Sequence, residues 1–159
     1  MKRTYNWEDP LESVKEGLLL SGLDYMESMH KGSLPVPPIL KTIDFKIQNV
    51  EKANISFEFI PQTFHYNPIG SVHGGVITTV LDSAIGCTIH SMLAKGYGYT
   101  TVEIKVNFIK KITIETGKMI TDCKIIHKGR TTALVEASLK DKQGKIYAHA
   151  VSTCMIFKI

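Results

Sequence analysis

Arginine is nearly absent from this chain. Arg3 and Arg130 are the only two in 159 residues, and a nucleic-acid surface normally spends more guanidinium than that. Cysteine is sparse too. Cys87, Cys123 and Cys154 lie too far apart for a disulfide framework or a zinc knuckle, so reduced thiols in a cytoplasmic protein are the expectation. The six histidines form no His-x-His or His-x-x-x-His pair, and no metal site is expected. A G-x-S-x-G elbow and a phosphate-binding P-loop are both missing. There is no uncharged run long enough for a membrane span, because the most apolar window, 76–94, still holds Asp82 and His90. Glu8, Asp9, Glu12 and Glu16 follow the basic opening residues before any long apolar run, which is wrong for a secretory signal.

What remains is an ordinary globular composition: 43% hydrophobic, 21% charged and a net charge of +4. That balance excludes a disordered chain, and the length suits one domain spanning residues 1–159. The mild positive surplus suits an anionic small molecule as well as anything larger. Residues 8–30 carry a helical pattern interrupted by Gly17 and Gly22, which makes 1–33 an appended helical segment tethered by the proline-rich stretch 31–38. From Ile39 the period becomes two. Ile43, Phe45 and Ile47 alternate with polar neighbours, as do Ile55, Phe57 and Phe59. Four further strand-like runs cover 100–109, 118–127, 131–140 and 145–157, with Val102, Ile104, Val106 and Phe108 sharing one face of the first. Six strands and one long central helix predict an α+β fold, an antiparallel sheet with the helix packed on one face.

The helix in 76–94 has apolar residues around most of its circumference, so it should be buried in its own sheet or against a second copy. Its one charge is Asp82, on a stripe of small or polar residues with Gly75, Thr78, Thr79 and Gly86. Such an acid is either satisfied by neighbouring hydroxyls or functional. At the start of that helix stands Asn67-Pro-Ile-Gly-Ser-Val-His73-Gly74-Gly75. Two glycines there expose N–H groups without intrahelical partners, in the manner of an oxyanion hole, although close packing alone also favours glycine. Eight residues separate Gly74 from Asp82, about 12 Å along one helix. Reacting groups converge to about 3 Å. If both serve one carbonyl, the acid must come from a second subunit whose helix runs antiparallel across a two-fold axis.

The pattern Asn67-x5-His73-Gly74-Gly75-x6-Asp82, followed by Thr100-Thr-Val-Glu-Ile-Lys-Val-Asn-Phe108, resembles the hotdog-fold acyl-CoA thioesterases of the 4-hydroxybenzoyl-CoA thioesterase superfamily, in particular the PaaI-like branch. The resemblance runs from about Leu34 to Phe157 and implies a hotdog fold, a six-stranded antiparallel sheet wrapped around one long helix. It implies hydrolysis of an acyl-CoA to a carboxylic acid and CoA, with Asp82 as general base or nucleophile. Gly74, assisted by His73, would polarise the carbonyl, Asn67 would position water or the carbonyl oxygen, and Thr101 would hold the nucleophilic water, with Thr100 as the fallback. It also implies a homo-oligomer, commonly a dimer of dimers, that needs no metal or cofactor beyond the substrate's CoA. Gly75 and Thr100 join the substrate contacts, and Arg130, Lys128 and Lys110 are candidates for the CoA phosphates, with Lys111 beside them. Many relatives carry Arg-Pro after the strand that ends at Phe108, where this chain has Ile109-Lys110-Lys111-Ile112. A non-catalytic acyl-CoA-binding or sensing protein on the same fold is the alternative. Cys87 falls well around the helix from Asp82 and reads as a core residue.

Overall fold

A computed structural model describes residues 1–159. The appended segment forms two helices, α1 (Pro10–Gly17) and α2 (Gly22–Lys31). Asp9 caps α1 with Pro10 at its first position, and Ser21 caps α2 by accepting from the Asp24 N–H. The break between them falls at the two predicted glycines. A Cβ on Gly22 would lie 1.7 Å from the His90 carbonyl oxygen, so this close approach admits glycine alone. Gly32, at φ 78°, then ends α2 in the left-handed conformation.

One element departs from the alternation expected from Ile39 onwards. Residues Pro38–Ile43 form a short helix, α3, started by Pro38 and closed by Asp44 at φ 61°. A proline at the first helical position is pre-set for a helix start, and this local effect overrides the two-residue period of Ile43, Phe45 and Ile47. The first strand begins only at Phe45.

The strands are β1 (Phe45–Glu51), β2 (Asn54–Phe59), β3 (Tyr97–Phe108), β4 (Met119–Lys128), β5 (Thr132–Asp141) and β6 (Ile146–Lys158). They form one antiparallel sheet in the order β1-β2-β4-β5-β6-β3. The long helix α4 (Gly74–His90) packs across it, touching β2, β3, β4, β5 and β6. Ile77, Val80, Leu81, Ala84, Ile85 and Ile89 of α4 are buried against Phe57, Phe59, Met119, Val135 and Leu139 of the sheet. Each of the larger side chains among these contributes roughly 1.5–3 kcal/mol of transfer free energy, and Ala84 less, so this layer is the main source of stability. Two parts of the fold lack a full set of neighbours. β3 is an edge strand of 12 residues, with β6 on one side and no strand on the other. The face of α4 that carries Thr78, Thr79, Asp82 and Ser83 is only half covered.

Within β3 the expected alternation fails at one point. A bulge between Thr101 and Glu103 inserts an extra residue, and Val102 turns outward with 64% of its surface exposed. Val102 therefore does not share the inner face with Ile104 and Val106. Thr101 takes the inward place beside Cys154, while Thr100 faces away, paired with Met155.

Candidate active site

The loop that delivers α4 is fixed before the helix begins. Buried His65 accepts from the Gln62 N–H at Nδ1 (2.9 Å), and its Nε2 lies 2.7 Å from the Ile43 carbonyl. Burial of this imidazole holds its pKa below the ordinary histidine value. The Asn67 Oδ1 accepts from the N–H groups of Ile69 (3.1 Å) and Ser71 (3.2 Å), and its Nδ2 donates to Ser71 Oγ (3.1 Å). Asn67 thus shapes the turn with its own amide. The His73 N–H donates to the His65 carbonyl (2.8 Å), and the Val72 N–H to that of Ile112 (2.9 Å).

His73 then caps α4, its Nδ1 accepting from the Gly75 N–H at 2.9 Å. The N–H groups of Val76 and Ile77 donate to the His73 carbonyl. The Gly74 N–H alone in this first turn has no partner within the chain. It borders an open cleft of about 410 Å³ whose walls include Asn67, Ile69, Phe108, Lys110 and Lys111. Gly74 also meets a packing demand, since a Cβ there would lie 3.0 Å from Phe108 Cζ. Gly74 thus combines an N–H free of intrachain partners with a close packing contact.

Two turns along, half-buried Asp82 accepts a hydrogen bond at Oδ1 from the Thr101 hydroxyl at 2.9 Å. Behind Thr101 the Cys154 thiol donates to its Oγ1 (3.8 Å), and the Ser152 hydroxyl, near that sulfur at 3.9 Å, donates to the Glu103 carbonyl. The carboxylate is therefore oriented by a short chain of hydroxyl and thiol groups from β3 and β6. Burial raises the Cys154 pKa and pushes the Cys87 thiol up to about 12, so neither offers a thiolate near neutrality. No three His, Cys, Asp or Glu side chains converge to hold a metal ion.

Residues 69–148 match the family model described as the thioesterase superfamily. Among curated proteins, one named as an esterase in Saccharolobus solfataricus is 31% identical over 124 residues, covering 76% of this chain and 84% of that protein. The chain belongs to the thioesterase superfamily. Among solved structures, a Ralstonia eutropha JMP134 protein described as a thioesterase and as phenylacetic acid degradation-related superposes with a TM-score of 0.73 at 24% identity, covering 81% of this chain and 97% of that one. A Streptococcus mutans protein bound to acetyl-CoA superposes with a TM-score of 0.65 at 24% identity, covering 72% and 89%. These likenesses carry the hotdog fold.

This thioesterase is a thioester hydrolase, and its structure groups the predicted residues into two sets. Gly74, Asn67 and Lys110 gather at one cleft. Asp82 and Thr101 pair about 12 Å further along α4. Gly75 belongs to the first set by position, but its N–H is taken by His73. Thr100 points to the opposite face of β3 from Asp82. Lys128 and Arg130 are exposed at the β4–β5 turn, at the end of the sheet shared with Thr101, since the register runs Lys128–Ala133–Cys154–Thr101. Lys110 lies at the other end, beside Lys145, whose hydrogen-bonding and charged ammonium draws its pKa below the ordinary lysine value. Cys154 and Ser152 were not among the sequence candidates. Their only signal is alternation along β6, which places even-numbered residues from 148 to 156 on the buried face. No helix is long and apolar enough to cross a membrane.

Proposed function

We propose that this thioesterase hydrolyses an acyl-CoA at a site shared by two subunits, the Gly74 N–H of one polarising the thioester carbonyl and Asp82 of the other driving the attack. The observation that carries this reading is the separation of the two groups. The free N–H and the oriented carboxylate sit on one rigid helix about 12 Å apart, so a single protomer cannot bring both to one carbonyl. An antiparallel second copy reverses the order, setting the start of one α4 against the middle of the other. The unpaired edge of β3 supports such a partner, because a 12-residue edge offers a row of free N–H and C=O groups. The half-covered face of an otherwise apolar α4 supports it too.

The chemistry follows from the parts. The Thr101 hydroxyl occupies Asp82 Oδ1, leaving Oδ2 to take the proton of an attacking water or to attack directly. As the new C–O bond forms, the carbonyl electron pair moves to oxygen and is met by the Gly74 N–H. The pair on oxygen returns as the C–S bond breaks, and the CoA thiolate takes the proton that Asp82 removed from water. After direct attack, water instead opens the acyl–Asp82 anhydride, giving one proton to the thiolate and its oxygen to the acid. Acetyl-CoA on the Streptococcus mutans neighbour supports a CoA thioester as ligand. Lys110 and Lys111 line the Gly74 cleft and are cations suited to the CoA phosphates, with Lys128 and Arg130 further out at the β4–β5 turn, three strands from Thr101.

The test is release of free thiol from a panel of acyl-CoAs by the wild-type chain and by Asp82→Asn. The variant keeps an oxygen to accept from Thr101, so it should fold and still lose roughly 10²–10⁴ in rate. Binding without thiol release by the wild-type chain, or near-normal turnover by the folded variant, contradicts the proposal.

A further inference from the structure

We infer that Tyr99 sets the length of the acyl group this enzyme accepts, by filling the space between Gly86 and the His90 ring. The inference rests on the acyl-CoA reading of the site. The two directions along α4 from Asp82 differ in character. Towards the helix start stand Thr78 and Thr79, whose hydroxyls donate to the Gly74 and Gly75 carbonyls. Towards the helix end, one turn from Asp82, stands Gly86, with no side chain, faced by Tyr99 of β3. An apolar acyl group attacked beside Asp82 therefore finds its apolar surroundings on the Gly86 side.

Tyr99 closes that side. Its hydroxyl lies 2.3 Å from where a Gly86 Cβ would stand, so the ring reaches the helix backbone only because residue 86 is glycine. It lies on the same inward face as Thr101, two residues earlier in β3, and packs against the core. Behind it the His90 ring follows at 5.8 Å between centroids, and Tyr25 of α2 meets His90 edge-on at 5.4 Å. Beyond this partition is a cavity of about 130 Å³, lined by Leu18, Leu20, Tyr25, His90, Tyr97 and Ile159. Its walls come from the appended segment, the end of α4 and the ends of β3 and β6. The wall of that space on this side is made by His90 and Tyr25, and the Tyr99 ring stands on the carboxylate side of His90. The Gly86–Tyr99 pair limits the chain by bulk, so removing the ring should lengthen the pocket as far as the His90 ring.

The experiment measures kcat/KM by thiol release for straight-chain acyl-CoAs from acetyl to palmitoyl, for wild type, Tyr99→Phe, Tyr99→Ala and Tyr99→Leu, each checked for native circular dichroism. Tyr99→Leu provides the reading should the alanine variant fail to fold. We expect the two ringless variants to raise the ratio of the first chain rejected by wild type to the longest chain accepted by roughly 10-fold or more. Tyr99→Phe, which keeps the ring, should retain the wild-type length profile. A folded ringless variant with the wild-type profile, or an equal shift in Tyr99→Phe, overturns the inference while leaving the acyl-CoA reading intact. A wild-type chain that releases thiol from no member of the series overturns that reading, and this inference with it.

Discussion

Replacing Gly74 with proline removes one hydrogen-bond donor while asking almost nothing of the backbone. Gly74 is the first residue of α4, where a proline ring is compatible with the helix, and its φ is negative. His73 before it sits at φ −63°, ψ 137°, the extended conformation that a residue preceding proline needs. The lost N–H has no intrachain acceptor, so no native hydrogen bond is broken. The new Cβ meets Phe108, whose Cζ would lie 3.0 Å from it. That ring is more than half exposed and can move aside. Gly74→Ala imposes the same crowding but keeps the N–H, so the ratio of the two variants isolates the donor. Loss of one oxyanion donor costs about 10²–10³ in kcat, or roughly 2.7–4 kcal/mol of barrier. The assay is thiol release under saturating acyl-CoA, with thermal melting of each variant as the check on folding. Folded Gly74→Pro turning over within a few-fold of Gly74→Ala would refute the assignment of this N–H to the carbonyl.

Thr101→Val removes the hydroxyl that orients Asp82 while preserving shape. A hydrogen bond to a charged group is worth about 1.5–3 kcal/mol, so a loss of roughly 10- to 100-fold in kcat is expected, with Thr101→Ser restoring most of it; equal activity in the valine and serine variants would contradict the role. Stability should fall as pH drops from about 7.5 to 5. Burial lowers the folded-state pKa of His65 and His90 below 6.5, so above that value neither state carries the proton and stability is complete. Below it the unfolded chain takes up protons that the folded chain refuses. Glu58, held down mainly by its hydrogen bond from Lys118, contributes only below its ordinary value of 4.5 and leaves this window to the histidines. Urea unfolding at pH 7.5, 6.5 and 5.5 measures the trend, and His90→Gln should flatten it; stability that rises on acidification would contradict the reasoning.

Periodicity carried much of the fold. The window 76–94 anticipates α4 at 74–90, and the last four strands fall within a few residues of their expected limits, because period 3.6 and period 2 are properties of the chain itself. Lost to that reading were features set by single turns or by distant neighbours. A proline at a helix start makes Pro38–Ile43 helical against the local alternation. The bulge beside Val102 depends on pairing with β6, and it decides whether Thr100 or Thr101 meets Asp82; strict alternation with Val102 inward selects Thr100. The sequence also shows two glycines at the helix start without telling which N–H is free. His73 settles that by taking the Gly75 N–H through its own ring. The separation of Gly74 and Asp82 was legible from spacing alone, since it depends only on helical rise.

Mixing two variants that are each expected to lose activity tests most directly whether the site is shared. Asp82→Asn and Gly74→Pro are each made alone, then unfolded together in equal amounts and refolded. A mixed dimer would pair the intact Gly74 of one protomer with the intact Asp82 of the other, restoring one of its two sites. Random pairing makes half the dimers mixed, so recovery of about a quarter of the wild-type rate is predicted. Activity no higher than the average of the two separate variants, with mixed dimers present, would place donor and carboxylate in the same protomer and contradict the shared site.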